Sequence, residues 1–135
     1  TGIQLEVGSQ ATNFEFEPFE AIQRKCQRYF VMMGGEAGYE RFGVGVVRSA
    51  TQAFISIHNP IRMRGIPSAS VNAAGDLQLH DGVFSRTVSS IQMDLPSSYI
   101  THLIVNISGS SAGRGAQLLA DNTTNTRLSI TAELN

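Results

Sequence analysis

The stretch Tyr99-Ile-Thr-His-Leu-Ile-Val-Asn-Ile107 carries the strongest strand signal in the chain. Side chains along a strand point alternately to opposite sides. One face of this stretch therefore carries Thr101, Leu103, Val105 and Ile107. The other face carries Ile100 and Ile104, so it is partly apolar as well. Two apolar faces predict a strand at the centre of a sheet or at a subunit contact.

The same alternation recurs on both sides of this stretch. Residues 52 to 58 place Ala53, Ile55 and Ile57 on one face. Further alternating stretches are residues 3 to 7, 14 to 17, 42 to 46, 76 to 79, 88 to 95 and 127 to 134. About eight short strands separated by turn residues are typical of a sandwich or barrel. The sequence thus predicts an all-β fold, a jelly-roll-like β-sandwich with one short α-helix near the N-terminus.

The helix is predicted from the only stretch with a helical period. Phe19, Ile22, Cys26 and then Tyr29 or Phe30 recur at spacings of three and four residues, directly after Pro18. We expect a helix over residues 19 to 27, with Cys26 buried on its apolar face. Cys26 is the single cysteine, so it cannot form a disulfide within the chain. The apolar run of residues 29 to 33 predicts a buried strand after the helix.

Composition narrows the classes of function. A chain of 135 residues fits one domain of common size. With a net charge of −1 and no basic stripe, nothing indicates a nucleic-acid surface. No apolar run approaches the ~18 residues that a membrane span requires, so we expect no membrane insertion.

The motifs that could carry chemistry are weak. Gly43-Val44-Gly45 lacks the third glycine and the following helix of a nucleotide-binding loop. His80 and Asp81 are neighbours on one strand and would face opposite ways, which indicates a polar turn. Glu15 and Glu17 share a strand face and are interpreted as solvated. We therefore predict no catalytic residues, no metal, no cofactor and no enzymatic activity.

Two features suggest binding. Arg62 and Arg64 share a face within the proline-bounded segment of residues 60 to 67, where they could clasp an anion or a partner's carboxylate. The simpler interpretation is a pair of surface charges beside a strand. Tyr39 and Tyr99 are the expected exposed aromatic residues, whereas most of the seven Phe residues occupy core-like positions.

Several stretches spread along the chain resemble one family of bacteriophage structural proteins. They are Ile3 to Phe19, Cys26-Gln27-Arg28-Tyr29-Phe30, Pro60-Ile-Arg-Met-Arg-Gly-Ile-Pro67, Gly113-Arg-Gly-Ala-Gln-Leu-Leu-Ala120 and Ala132-Glu133-Leu134. In that family, the first stretch closes a carbohydrate-binding-module-like domain and leads into a C-terminal domain. The resemblance implies that residues 1–12 are the last strand of an upstream domain with its linker. Residues 13–135 would then form the C-terminal β-sandwich.

The resemblance also implies a function and a location. It indicates a virion protein at the surface of the phage particle, in the tail, at the tip of a tail fibre or tailspike. There it would bind a host receptor such as a bacterial surface glycan. The alternative is a structural virion protein, such as a capsid-decorating protein, a head fibre or a trimerisation cap. We expect a homotrimer that contacts other virion proteins and whose subunit contact lies at or near Ile100 and Ile104.

Overall fold

The computed structural model describes residues 16–132. Within that range the chain forms one α-helix, ten strands and a short 3-10 turn at Ala74–Asp76. The elements are α1 (Phe19–Gln27), β1 (Phe30–Met33), β2 (Arg41–Ser49), β3 (Gln52–His58), β4 (Ser68–Val71), β5 (Leu77–His80), β6 (Ser85–Thr87), β7 (Ser90–Met93), β8 (Ile100–Asn106), β9 (Gly115–Ala120) and β10 (Leu128–Thr131). The expected upstream strand, the boundary after residue 12 and residues 14 and 15 lie outside the described residues.

The strands form two antiparallel sheets that pack as a sandwich. The larger sheet has seven strands in the order β6-β5-β9-β2-β3-β8-β7, and the smaller one has the order β1-β10-β4. Strand β4 packs beside β7, so the two sheets meet along that side. The prediction of an all-β sandwich with one short helix near the N-terminus is confirmed. No helix among residues 16–132 combines the length and the apolar character that crossing a membrane requires.

The core lies between the sheets and uses the predicted inner faces of β3 and β8. Ile55 pairs directly with Leu103 across these strands, and both side chains are fully buried. Leu128 and Ile130 of β10 belong to the same buried cluster. Ile104 points the other way, where it lies opposite Phe54 of β3 and is half-buried. The neighbouring strand therefore covers part of the second apolar face of β8.

Helix α1 has the predicted limits but not the predicted burial. None of its residues is buried, and Cys26 is exposed, so the expectation of a buried thiol is wrong. Phe19, on the same face, is 74% exposed. The helical period correctly located an apolar face. The core, however, closes between the two sheets, and no element among residues 16–132 covers that face.

The aromatic and apolar residues near the helix also depart from expectation. Strand β1 buries only Val31, because it is an edge strand whose outer face is uncovered within the described residues. The strand predicted at residues 29 to 33 is present as β1, but the prediction that it is buried is wrong. Most Phe residues are not in the core either. Of the six described, Phe42 is buried, Phe54 is half-buried, and four are exposed: Phe16, Phe19, Phe30 and Phe84.

Residues 60 to 67 form an arch and not the expected strand. The Met63 N–H donates to the Ser98 carbonyl at 2.8 Å, and the Arg64 N–H donates to the Arg28 carbonyl at the same distance. Because these two N–H groups bind carbonyls in different parts of the chain, the segment does not pair with a neighbouring strand. Met63 is buried to 1% exposure and anchors the arch to the sandwich.

Candidate functional site

A cleft opens on the outer face of the larger sheet, where β2, β9 and β5 lie side by side. Its volume is about 410 Å³. The cleft is lined by Val44, Gly45, His80, Asp81, Gly82, Gly115, Ala116 and Gln117. Three strands and the turn after β5 therefore contribute to one depression on a rigid scaffold.

Glycine makes the depression possible. Gly115 pairs with Val46 across β9 and β2, and it contributes no side chain to the outer face. Gly45 is required for a different reason. A Cβ atom at this position would lie 1.7 Å from the Phe54 carbonyl oxygen. The glycine therefore allows β2 to approach β3 closely beside the cleft.

The polar wall of the cleft comes from two neighbouring strands. His80 of β5 lies directly opposite Gln117 of β9, and Gln117 lies opposite Val44 of β2. The Arg41 Nε–H donates to Gln117 Oε1 at 3.1 Å, which fixes the amide. An imidazole, an amide and an exposed valine thus stand in one row across the sheet. Such a row offers hydrogen-bond donors, acceptors and an apolar surface to a small polar ligand.

Asp81 lies at one end of the cleft and is buried. Its carboxylate accepts a hydrogen bond from the Ser110 hydroxyl at 2.6 Å and from the N–H groups of Phe84 at 2.9 Å and Val83 at 3.1 Å. Arg114 Nη1 lies 3.3 Å away. The Ser110 hydroxyl above all, and then the Phe84 N–H, hold the pKa of this carboxyl well below its usual range. Asp81 is therefore an ionised acceptor with its lone pairs engaged, and it shapes the turn without serving as a proton donor.

Asp81 begins a turn directly after β5, as the sequence indicated, but it lines the cleft together with His80. The two side chains nevertheless have different hydrogen-bond partners. The His80 Nδ1 lies 3.4 Å from the Ser85 hydroxyl, and Asp81 is committed to Ser110. Ser85, His80 and Asp81 therefore do not form a chain of hydrogen bonds that would activate a nucleophile.

The other candidate groups are scattered. Among residues 16–132, no three His, Cys, Asp or Glu side chains converge as metal ligands. Glu17 pairs with Lys25 of α1, and Glu15 lies outside the described residues. His102 pairs with Asp94 at 3.3 Å on β8, far along the sheet order from His80.

Arg62 and Arg64 are both exposed on the arch, on either side of buried Met63. Tyr39 and Tyr99 are exposed, as the sequence analysis expected. The helical period predicts a packing role for Tyr29 or Phe30, yet Tyr29 is exposed beside Arg64.

The fold defines this chain as a mostly β, sandwich-like domain with a surface cleft. Comparisons with protein-family models, with curated proteins and with solved structures gave no match.

Proposed function

We propose that this domain is a non-catalytic adhesion module of a bacteriophage virion that binds a bacterial surface glycan. The observation that carries the proposal is the cleft on the larger sheet, where His80 and Gln117 face solvent beside Val44. Sugars present many hydroxyl groups together with apolar C–H patches. A row of imidazole, amide and aliphatic side chains complements both.

The way the cleft is built favours binding over turnover. Its one buried carboxylate, that of Asp81, already accepts hydrogen bonds from a hydroxyl and two backbone N–H groups. Glycoside hydrolysis usually needs a carboxylic acid that can protonate the leaving oxygen. A carboxyl whose pKa is strongly lowered holds no such proton at neutral pH.

The assignment to a phage virion rests on the sequence resemblance. One of the resembling stretches, Gly113 to Ala120, supplies strand β9 and with it Gly115 and Gln117 of the cleft. The segment that resembles the family thus contributes to the candidate binding site. A place at the tip of a tail fibre or tailspike is consistent with a module that binds the host surface.

The experiment is an array of purified bacterial surface polysaccharides probed with the fluorescently labelled chain. We expect saturable binding to at least one polysaccharide. Gln117→Ala should weaken that binding about tenfold, because a hydrogen bond that is lost while its partner stays buried costs roughly 1–3 kcal/mol. His58→Ala is the matched control, since His58 is exposed on β3 and does not line the cleft.

Two results would contradict the proposal. One is the absence of binding to every polysaccharide by a chain whose circular dichroism is that of a folded β protein. The other is binding that Gln117→Ala and His58→Ala leave equally unchanged, which would place the glycan elsewhere. Release of reducing sugar by the purified chain would overturn the non-catalytic part.

A structural virion role is the second candidate, and a specific observation favours it. Large apolar side chains are exposed just before α1, on α1 and on β1; they are Phe16, Phe19, Ile22, Phe30 and Met32. Such surfaces on soluble proteins mark contacts with other proteins. A homotrimer, a capsid-decorating protein, a head fibre or a trimerisation cap would each use such a contact.

Light scattering and electron microscopy separate the two roles. In a structural role, Phe19→Ser should dissociate an assembly seen in the wild-type chain, while the polysaccharide array stays blank. In an adhesion role, the same variant should leave binding to each single site unchanged. The position of the chain in a map of the virion then distinguishes tail from capsid.

A further inference from the structure

The arch at residues 60 to 67 holds two arginines that are two positions apart. Arg62 and Arg64 are exposed, and Met63 between them is buried. The arch is tied down on both sides of that anchor, since Met63 and Arg64 donate to the carbonyls of Ser98 and Arg28. Both guanidinium groups therefore start from a fixed backbone and are exposed.

Each guanidinium is backed by a tyrosine ring. Arg62 Cζ lies 5.4 Å from the centroid of Tyr99, and Arg64 Cζ lies 5.3 Å from the centroid of Tyr29. Arg64 Nη1 also donates to the Tyr29 hydroxyl at 3.1 Å. A guanidinium that lies over an aromatic face within about 6 Å is attracted to it and still presents N–H donors at its edge. Stacking therefore restricts the side chains before a ligand arrives, which lowers the entropy lost on binding.

The two charges are not neutralised by the described part of the chain. The ion pairs among residues 16–132 are Lys25–Glu17, His102–Asp94 and Arg114–Asp81, and neither Arg62 nor Arg64 takes part in one. Arg28, whose carbonyl accepts the Arg64 N–H, is exposed as well, in a chain with a net charge of −1. This local excess of positive charge is separate from the cleft at His80 and Gln117.

We infer that Arg62 and Arg64, backed by Tyr99 and Tyr29, form a binding site for the anionic groups of an acidic polysaccharide. The shared chemistry is that of a carboxylate or a phosphate, whose oxygens match the planar fork of a guanidinium. The exposed parts of the two tyrosine rings would contact the sugar beside the anion. The inference rests on the proposed glycan-binding function for the identity of the polymer, but it uses a different surface.

The experiment measures binding of the full chain to three immobilised polymers by surface plasmon resonance. Polygalacturonate carries carboxylates, polyphosphate carries phosphates, and dextran is neutral. We expect binding to at least one of the anionic polymers and a clear preference for it over dextran. The Arg62→Gln/Arg64→Gln variant should lose about tenfold in affinity for each arginine removed, since hydrogen bonds to charged groups are among the stronger ones. The preferred anionic polymer identifies the source of the anion.

Two further variants make the result specific. Arg48→Gln is the matched control, because Arg48 also lies over an aromatic ring, that of Phe54, at 5.2 Å. It removes the same charge from a different surface and should leave the affinity unchanged. Arg62→Lys/Arg64→Lys keeps the charge but removes the planar fork, so it should recover only part of the lost affinity.

Each other outcome overturns the inference. Equal losses in the Arg48→Gln variant and in the double variant would show that only net charge matters. Anionic binding that survives the double variant would place the anion elsewhere. If none of the three polymers binds, or if their binding does not depend on the arginines, this site fails; the proposed function still stands when the polysaccharide array shows binding that Gln117→Ala weakens. A double variant that changes only the oligomeric state in light scattering would assign the arginines to a protein partner's carboxylate.

Discussion

Truncation of two neighbouring residues on opposite faces of strand β8 should lower the unfolding free energy by different amounts. Leu103→Ala removes three carbon atoms from a fully buried position opposite Ile55. The lost transfer free energy is about 2.4 kcal/mol at roughly 0.8 kcal/mol per methylene group. The cavity left behind raises the expected loss of unfolding free energy to about 3–5 kcal/mol. Ile104→Ala removes a similar volume from a half-buried position on the outer face and should cost about 1 kcal/mol.

Urea denaturation followed by circular dichroism measures both variants. With a slope of about 2 kcal/mol per molar urea, Leu103→Ala should lower the unfolding midpoint by about 1.5–2.5 M. Ile104→Ala should lower it by about 0.5 M on the same scale. Equal shifts for the two variants would refute the assignment of inner and outer faces. These shifts apply to the monomeric chain; in the expected homotrimer the shift for Ile104→Ala should grow with protein concentration, because a neighbouring subunit then covers the outer face.

Four further outcomes are expected. Cys26 is exposed, so it should react with a thiol reagent in the native chain as fast as a free thiol does; slow labelling would mean that the helix face is covered. Cys26→Ser should change the unfolding free energy by less than about 0.5 kcal/mol, as for other exposed positions. Gly45→Ala should prevent formation of the native sheet, seen as loss of the β signal in circular dichroism, because the new Cβ would lie 1.7 Å from the Phe54 carbonyl oxygen. The stability that Asp81 contributes should be complete above the ordinary pKa of 3.8 and should be lost as the pH falls toward the lowered pKa of this carboxyl. Asp81→Asn should therefore reduce the fall in melting temperature that the wild-type chain shows at acidic pH. An unchanged fall in the variant would contradict this role for Asp81. Ile104→Asp should convert the expected homotrimer to monomers in light scattering, since an unpaired carboxylate buried at a subunit contact is unfavourable. A wild-type chain that is monomeric at micromolar concentration, or a variant that is still trimeric, would contradict that contact.

The sequence by itself determined the helix and the inner faces of β3 and β8. The single helical period after Pro18 predicted α1 at the residues where it lies, 19 to 27. The period of two predicted which residues of β3 and β8 face the core, because alternation is a property of the strand backbone alone. It also predicted a polar turn at Asp81, and Asp81 begins the turn that follows β5.

Only the tertiary structure decided which elements meet. Strand β9 lies between β5 and β2, and this order brings Gln117 beside His80 and Val44 although they are far apart in sequence. The sequence likewise placed Cys26 on an apolar face but not the element that would cover it. The spacing of apolar residues in the sequence shows which face of a helix or strand is apolar. Strand order and burial depend instead on how all the segments close together around one core, and that is a property of the whole chain.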